Sequence, residues 1–172
     1  YETALSAYQN ASSLKPQEGY PKEKVLELET VITERKKQIE LDNQYVKIIA
    51  QADEYMNKGQ YEEAKAYYQQ AQGLKPSEDF PGRQILQIDN TLANLAKETD
   101  QAYQNAVSRA DMYFEQEDYE MARLQYNRAL EIKPGESYPT QRLKQADDQI
   151  AMKKQLIQQQ FDLQITNADK FY

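Results

Sequence analysis

Three copies of one short motif decide the fold: LKPQEGYP at residues 14–21, LKPSEDFP at residues 74–81 and IKPGESYP at residues 132–139. Each copy reads aliphatic–Lys–Pro–x–Glu–x–aromatic–Pro, and together they contain all six prolines of the chain. Proline cannot continue a helix and disfavours helical backbone in the residue before it, but it is tolerated in the first turn of a new helix. Each motif therefore predicts the end of one helix and the start of another.

The spacing of the motifs gives a repeat length. Pro76 and Pro134 are 58 residues apart, whereas Pro16 and Pro76 are 60 apart, which places two extra residues in the first connection. A fixed period of this kind is typical of an array whose units pack on their neighbours. We expect these segments: residues 1–44 as the C-terminal part of a first repeat plus its third helix, 45–102 as a second repeat, 103–160 as a third repeat, and 161–172 as the start of a fourth.

Each complete unit is expected to hold three helices. In residues 45–102, apolar residues at helical spacing predict a first helix that ends at Gly59. A second helix begins at Tyr61 and ends before Pro76, where the preceding lysine lies favourably beside the last carbonyls. The third helix begins near Pro81.

The long stretches after the motifs contain no helix breaker. Neither glycine nor proline occurs in residues 22–58, 83–116 or 140–172. We therefore expect each third helix to run into the first helix of the next unit, giving a helix of about 35 residues and about 50 Å. A short break near residues 42–43 and 99–100, where capping residues occur, is the alternative. The two extra residues favour a local irregularity in the first connection.

The composition excludes several classes of function. The 172 residues include no histidine, cysteine or tryptophan, and 21 basic against 28 acidic residues give a net charge of −7. Thiol chemistry, histidine-based catalysis and soft-metal sites are therefore excluded, and the basic surplus that nucleic-acid binding needs is missing. We expect no enzyme activity, cofactor or metal, no nucleic-acid partner and no membrane insertion. The start at Tyr1, without an initiator methionine, is typical of an excised fragment.

A ladder of small and aromatic residues resembles a known family. It comprises Ala52, Tyr55, Tyr61, Ala64, Tyr68, Ala71 and Pro76, and again Ala110, Tyr113, Tyr119, Ala122, Tyr126, Ala129 and Pro134. This pattern resembles the tetratricopeptide repeat (TPR), a helix–turn–helix unit of about 34 residues. About 24 further residues separate successive units, which we interpret as the added third helix. The resemblance implies an all-α, TPR-like helical-repeat solenoid with three helices per unit, built as an elongated right-handed stack.

The resemblance also implies a binding surface. In the family the first helices line a concave groove, and an aspartate recurs here at Asp53, Asp111 and Asp169, next to the small packing position. The implied partner-binding residues are Val46, Ile49, Asp53, Met56, Asn57, Gln104, Val107, Asp111, Phe114 and Glu115. This alternation of carboxylate and apolar side chains suits a basic-hydrophobic peptide. As alternatives, the aspartates could pair with a neighbouring unit or simply be exposed, and the apolar members could be buried against the third helix.

A glutamate recurs in the motif at Glu18, Glu78 and Glu136, just before each third helix. A carboxylate there can accept hydrogen bonds from the free N–H groups of the first turn and is favoured by the helix dipole, so we expect a structural role.

Two functions fit this pattern. The first is a protein–protein interaction scaffold that binds a peptide or protein partner on a solenoid groove. The alternative is a passive structural spacer, or rod, within a larger envelope protein. Long units with this proline motif resemble repeats of large envelope-associated proteins of Bacteroidota, which implies a location in the bacterial periplasm or cell envelope.

Overall fold

The protein is all α-helical, as the sequence predicts. The computed structural model describes residues 1–171 and contains, within that range, six α-helices and no strand. The helices are α1 (Glu2–Leu14), α2 (Gly19–Asn57), α3 (Tyr61–Leu74), α4 (Asp79–Glu115), α5 (Tyr119–Ile132) and α6 (Ser137–Asp169).

The long helices α2 and α4 run without a break through the regions where a break was the alternative. The predicted continuity is therefore correct, and it follows from the absence of glycine and proline in these stretches. The irregularity expected in the first connection does not interrupt α2. That helix has 39 residues against 37 in α4, so the two extra residues lengthen the helix.

Both long helices end in the same turn, in which one residue has left-handed backbone. The residue is Gly59 after α2, with φ 71°, and Glu117 after α4, with φ 60°. In each turn the next amide donates to a carbonyl five residues back: Gln60 to Tyr55 at 3.0 Å, and Asp118 to Tyr113 at 2.9 Å. This bond is the mark of the Schellman motif. Glycine predicts the first of these turns, but nothing in the side chain of Glu117 predicts the second.

The proline motif starts the helices as predicted, but its glutamate does not cap them. Pro21, Pro81 and Pro139 are each the third residue of their helix, and the rings of Pro81 and Pro139 are fully buried. Glu18 and Glu136 occupy the N-cap position, yet neither carboxylate accepts a hydrogen bond from the first turn. The expected hydrogen-bonding role is therefore wrong for these two residues.

The chain forms two compact units that divide inside α4. The first is Tyr1–Thr91, and the second begins at Leu92. The repeat boundaries predicted at 44/45 and 102/103 fall inside α2 and α4 and stay a prediction.

In the first unit, α3 packs on α2 through alanines. Ala52 of α2 and Ala64 and Ala71 of α3 have no exposed surface, and Tyr68 beside them is fully buried. A methyl side chain is the smallest apolar group that a chiral residue can offer, so the two backbones can come close together. α1 packs on α2 as well.

The second unit repeats this arrangement between α4 and α5. One buried cluster contains Tyr103, Ala106 and Ala129. The next contains Ala110, Ala122 and Tyr126, with Tyr113, Phe114 and Leu143 packed against it. The alanines of the ladder, together with Tyr68 and Tyr126, are therefore the core of each unit, whereas Pro76 and Pro134 are exposed.

The two left-handed turns give a matched test of backbone strain. We expect Glu117→Gly to raise the free energy of unfolding by about 0.5–1 kcal/mol, because glycine adopts positive φ without a steric penalty. Gly59→Ala should lower it by about 1 kcal/mol for the same reason. Urea titration of the purified chain measures both changes.

Gly73, inside α3, is the control. A Cβ built there meets no atom within 4 Å, and its φ is not positive. Gly73→Ala should therefore be neutral or stabilising by up to about 1 kcal/mol. Equal losses for Gly59→Ala and Gly73→Ala would show that the left-handed conformation is not what decides the effect.

Candidate functional site

The ten residues predicted to bind a partner lie on α2 and α4, at equivalent places of the two units. Val46, Asn57, Gln104 and Glu115 are exposed, and the other six, Ile49, Asp53, Met56, Val107, Asp111 and Phe114, are half-buried. The set therefore follows one face of each helix, with its ends in solvent and its centre partly covered.

The recurring aspartate makes the same internal hydrogen bond in both units. The hydroxyl of Tyr68 donates to Asp53, and the hydroxyl of Tyr126 donates to Asp111. Burial, followed by the hydrogen bond to the carboxylate, raises the pKa of both tyrosines above the ordinary value, so they stay neutral donors. The aspartate thus ties the first helix of its unit to the second. The alternatives were a bond to a neighbouring unit and simple exposure. Neither holds for Asp53 or Asp111, because each bonds to a tyrosine of its own unit.

In the second unit the helix α6 adds two further groups at Asp111. The hydroxyl of Tyr138 donates to Asp111 at 2.8 Å. Arg142 donates through Nε to the hydroxyl of Tyr126 at 3.1 Å, and the same nitrogen lies 3.8 Å from the carboxylate of Asp111. The carboxylate therefore already faces two donors and a cation of its own chain.

The same arginine covers the aromatic member of the predicted set. The guanidinium carbon of Arg142 lies 3.8 Å from the centre of the Phe114 ring, which is a cation–π contact. Phe114 also packs edge-on against Tyr119 at 5.1 Å, and both Phe114 and Leu143 of α6 pack against the buried cluster of the second unit. The sequence left open that the apolar residues of the set pack against the third helix. For Phe114 this is correct, because Arg142 of α6 lies over its ring.

The first unit lacks these additions. The residues equivalent to Tyr138 and Arg142 are Phe80 and Gln84, which offer neither a hydroxyl nor a charge. The ring of Phe80 packs edge-on against Tyr68 at 6.1 Å. Among the described residues, Tyr68 is the only side chain that bonds to Asp53. The carboxylate of Asp53 therefore keeps more free acceptor capacity than that of Asp111.

A lysine of the proline motif makes a contact that the sequence analysis missed. The ammonium of Lys75 lies 2.5 Å from the carboxylate of Asp42 and 5.0 Å from the centre of the Tyr45 ring. We expected it to act on the last carbonyls of the second helix. Instead it joins the loop after α3 to the side of α2, because an ion pair and an aromatic face lie within its reach.

The second unit repeats this contact. Lys133 lies 2.6 Å from Asp100 and 5.1 Å from the ring of Tyr103. Asp42 and Asp100, like Tyr45 and Tyr103, are 58 residues apart. This recurrence is the sequence pattern from which the contact could have been predicted.

Two further observations concern the kinds of site present. No group of three or more carboxylates in residues 1–171 is placed to hold a metal ion. None of the helices described has both the length and the apolar character needed to cross a bilayer.

The ion pair between Lys75 and Asp42 predicts a pH dependence of stability. The hydrogen bond from Lys75 holds the pKa of Asp42 below its ordinary value. A carboxylate with a lowered pKa in the folded state stabilises the fold above its unfolded-state pKa, and loses this effect as the pH falls through the folded-state pKa. We expect Asp42→Asn to be less stable than the wild type at neutral pH, and the difference to vanish in strong acid.

Urea titrations at neutral and acid pH measure this difference. Glu34→Gln is the control, because Glu34 is exposed on the same helix and no salt bridge of the described residues includes it. A difference for Asp42→Asn that persists in strong acid would contradict the prediction.

Comparison with known proteins matches two stretches of this chain to the tetratricopeptide repeat family: residues 49–78 and 102–136. They coincide with the two helix pairs built on the alanine and tyrosine ladder, and residues 79–101 between them hold the extra helical segment. Neither the curated proteins nor the solved structures compared give a match. The two matched stretches and the six helices together support a TPR-like, all-α helical-repeat fold.

Proposed function

We propose that this chain is a protein–protein interaction scaffold and that its binding surface is a partly exposed strip of α2. Tetratricopeptide repeats commonly mediate protein–protein interactions, and proteins built from them are generally scaffolds without enzymatic activity. This family property supports a protein or peptide as the partner.

The strip consists of Val46, Ile49, Asp53 and Met56. Their spacing of three, four and three residues puts them on one face of the helix. Val46 is 64% exposed, and the other three are half-buried. One observation carries the proposal: the exposed apolar residue Val46 lies on the same face of α2 as Asp53, whose carboxylate can still accept hydrogen bonds.

The equivalent strip of α4 is a weaker candidate. It consists of Gln104, Val107, Asp111 and Phe114, and Arg142 and Tyr138 of the same unit already occupy its C-terminal half. A ligand there would have to displace a cation–π contact and the hydrogen bond from Tyr138. We therefore place the main binding contacts on α2.

The strip fits an extended peptide that carries lysine or arginine between apolar residues. Asp53 would take the cation, while Val46 and Met56 would contact the apolar side chains. An exposed ion pair contributes less than about 1 kcal/mol, so most of the affinity would come from apolar burial. The net charge of −7 would speed the approach of a basic peptide.

A passive spacer in a larger envelope protein is the second candidate, and one observation favours it. Arg142 covers Phe114 with a group of its own chain, as expected if the strip of α4 serves packing alone. The resemblance to envelope-associated repeats supports the same view.

A pair of equally exposed apolar residues distinguishes these functions. Val46 on the proposed strip and Leu86 outside it are 64% and 62% exposed, and both lie in the first unit. Peptides would first be selected from a random display library on the wild-type chain. We expect Val46→Ala together with Met56→Ala to weaken the selected peptides by about tenfold or more, since apolar burial carries the affinity.

Leu86→Ala should leave the affinity unchanged in the same calorimetric titration, and Asp53→Asn should have a smaller effect than the apolar pair. If no peptide is selected, or if Leu86→Ala weakens binding as much as the pair does, the spacer becomes the better description.

A further inference from the structure

We propose that the second unit binds a small dianion of the phosphate or dicarboxylate type in a cavity between α4 and α5. The cavity has a volume of about 230 Å³, and all of its lining residues belong to this unit. Two arginines lie in its wall, and no carboxylate does. The proposal does not depend on the strip of α2, because it concerns another unit and other residues.

The cavity lies between two facing helix surfaces. Its lining residues follow one face of α4, with Ala102, Asn105, Ala106 and Arg109, and one face of α5, with Gln125, Arg128 and Ile132. Since a helix turns by about 100° per residue, this face of α4 lies nearly opposite the one that carries Val107 and Asp111. A ligand in the cavity would therefore not meet the residues of the equivalent strip of α4.

The two arginines of the cavity differ from the other two arginines of this unit. Arg123 forms ion pairs with carboxylates of its own unit, and Arg142 lies beside Asp111. Arg109 and Arg128 are exposed, and neither forms an ion pair or a cation–π contact with the described residues of the unit. Two positive charges therefore remain for a ligand to neutralise.

The chemistry of the wall favours an oxygen anion. Each guanidinium presents parallel N–H donors that match the two oxygens of a carboxylate or a phosphate. The side-chain amide of Asn105 adds a further donor in the same wall. Two cations are best matched by two negative charges, hence by a dianion. The apolar side chains of Ala102, Ala106 and Ile132 leave room for a short carbon chain beside it.

The amide of Gln125 shows that this wall is not a completed packing surface. Its Oε1 atom is buried and has no hydrogen-bond partner among the described residues. Buried polar groups of folded proteins nearly always have a partner. The amide would gain one from a bound anion, to which its NH2 group can donate once the side chain turns.

The first unit lacks the charges of this site and part of its space. Gln51 and Gln70 take the places of the two arginines, so both positive charges are absent. The larger residues Ile48 and Tyr67 take the places of Ala106 and of the glutamine. The cavity and its charge are therefore a property of the second unit and not of the repeat.

The net charge of −7 opposes the approach of an anion at long range. At physiological ionic strength, however, exposed charges further apart than about 8 Å are largely screened from one another. The local charge of the cavity therefore decides whether an anion binds, and we expect the affinity to fall as salt is added.

NMR titration of the whole chain with phosphate and with succinate tests the proposal. At constant ionic strength and mildly alkaline pH, where both are dianions, we expect a saturable shift of the Nε–H signals of Arg109 and Arg128. Acetate, a monoanion, should bind about tenfold more weakly or worse, because it lacks the second charged partner. Saturation by phosphate alone would identify a phosphate-type ligand, and saturation by succinate alone a dicarboxylate. If neither dianion saturates these signals, or if acetate binds equally well, the proposal is wrong.

Three variants separate a defined site from a general attraction between anions and positive charge. Arg128→Gln should weaken binding by about tenfold or more, because it removes a charge-assisted pair of hydrogen bonds. Arg83→Gln is the matched control, since Arg83 is also exposed and its loss changes the net charge equally, but it lies in the first unit. Ala102→Leu should weaken binding although both arginines remain, because it fills the cavity.

All three residues are exposed, so circular dichroism should show an unchanged helix content for each variant. Equal effects of Arg128→Gln and Arg83→Gln, or wild-type affinity of Ala102→Leu, would overturn the proposal.

Discussion

Methyl groups between the first and second helices of each unit are the constraint on which the other contacts depend. Ala52, Ala64 and Ala71 have no exposed surface, and the same is true of Ala110, Ala122 and Ala129. The resulting close approach lets the hydroxyl of Tyr68 reach a carboxylate on α2, and lets Lys75 reach the side of the same helix. A larger side chain at these positions would force the helices apart and break both contacts. The alanines therefore fix the polar geometry as well as the core.

The two units share these alanines, the hydrogen bond from tyrosine to aspartate and the ion pair of the motif lysine. They differ in the side chains that the third helix adds. Phe80 and Gln84 in the first unit are replaced by Tyr138 and Arg142 in the second. Only the second pair brings a hydroxyl and a charge to the aspartate, at Asp111. Two units with the same core thus present different surfaces, and the repeat pattern alone does not reveal this difference.

The sequence predicted the helices well because glycine and proline act on the backbone next to them. Gly59 and the prolines of the motif ended and started helices where expected, and the uninterrupted stretches gave continuous helices. Glu117 escaped prediction because a hydrogen bond between the backbones of Asp118 and Tyr113 holds it in a conformation that its side chain disfavours.

The site was harder to predict than the fold. A period of 58 residues shows that Asp53 and Asp111 are equivalent, but it does not show whether a carboxylate points to solvent or to a tyrosine fifteen residues further on. The same holds for Lys75, whose partners Asp42 and Tyr45 are about 30 residues away in the chain. Such contacts between side chains depend on how the helices pack. A single sequence shows which residues could form them but not which pairs are in contact.

The unbroken helix α4 has a consequence for how the chain folds. Its residues up to Thr91 belong to the first compact unit, and those from Leu92 belong to the second. The costly step in helix formation is the first turn, after which each added residue gains a hydrogen bond. Once one unit has folded, its part of α4 is a nucleus from which the helix of the other unit can elongate. Folding should therefore spread from unit to unit along the chain by propagation of the shared helix, and only the shorter helix of the next unit needs a new first turn.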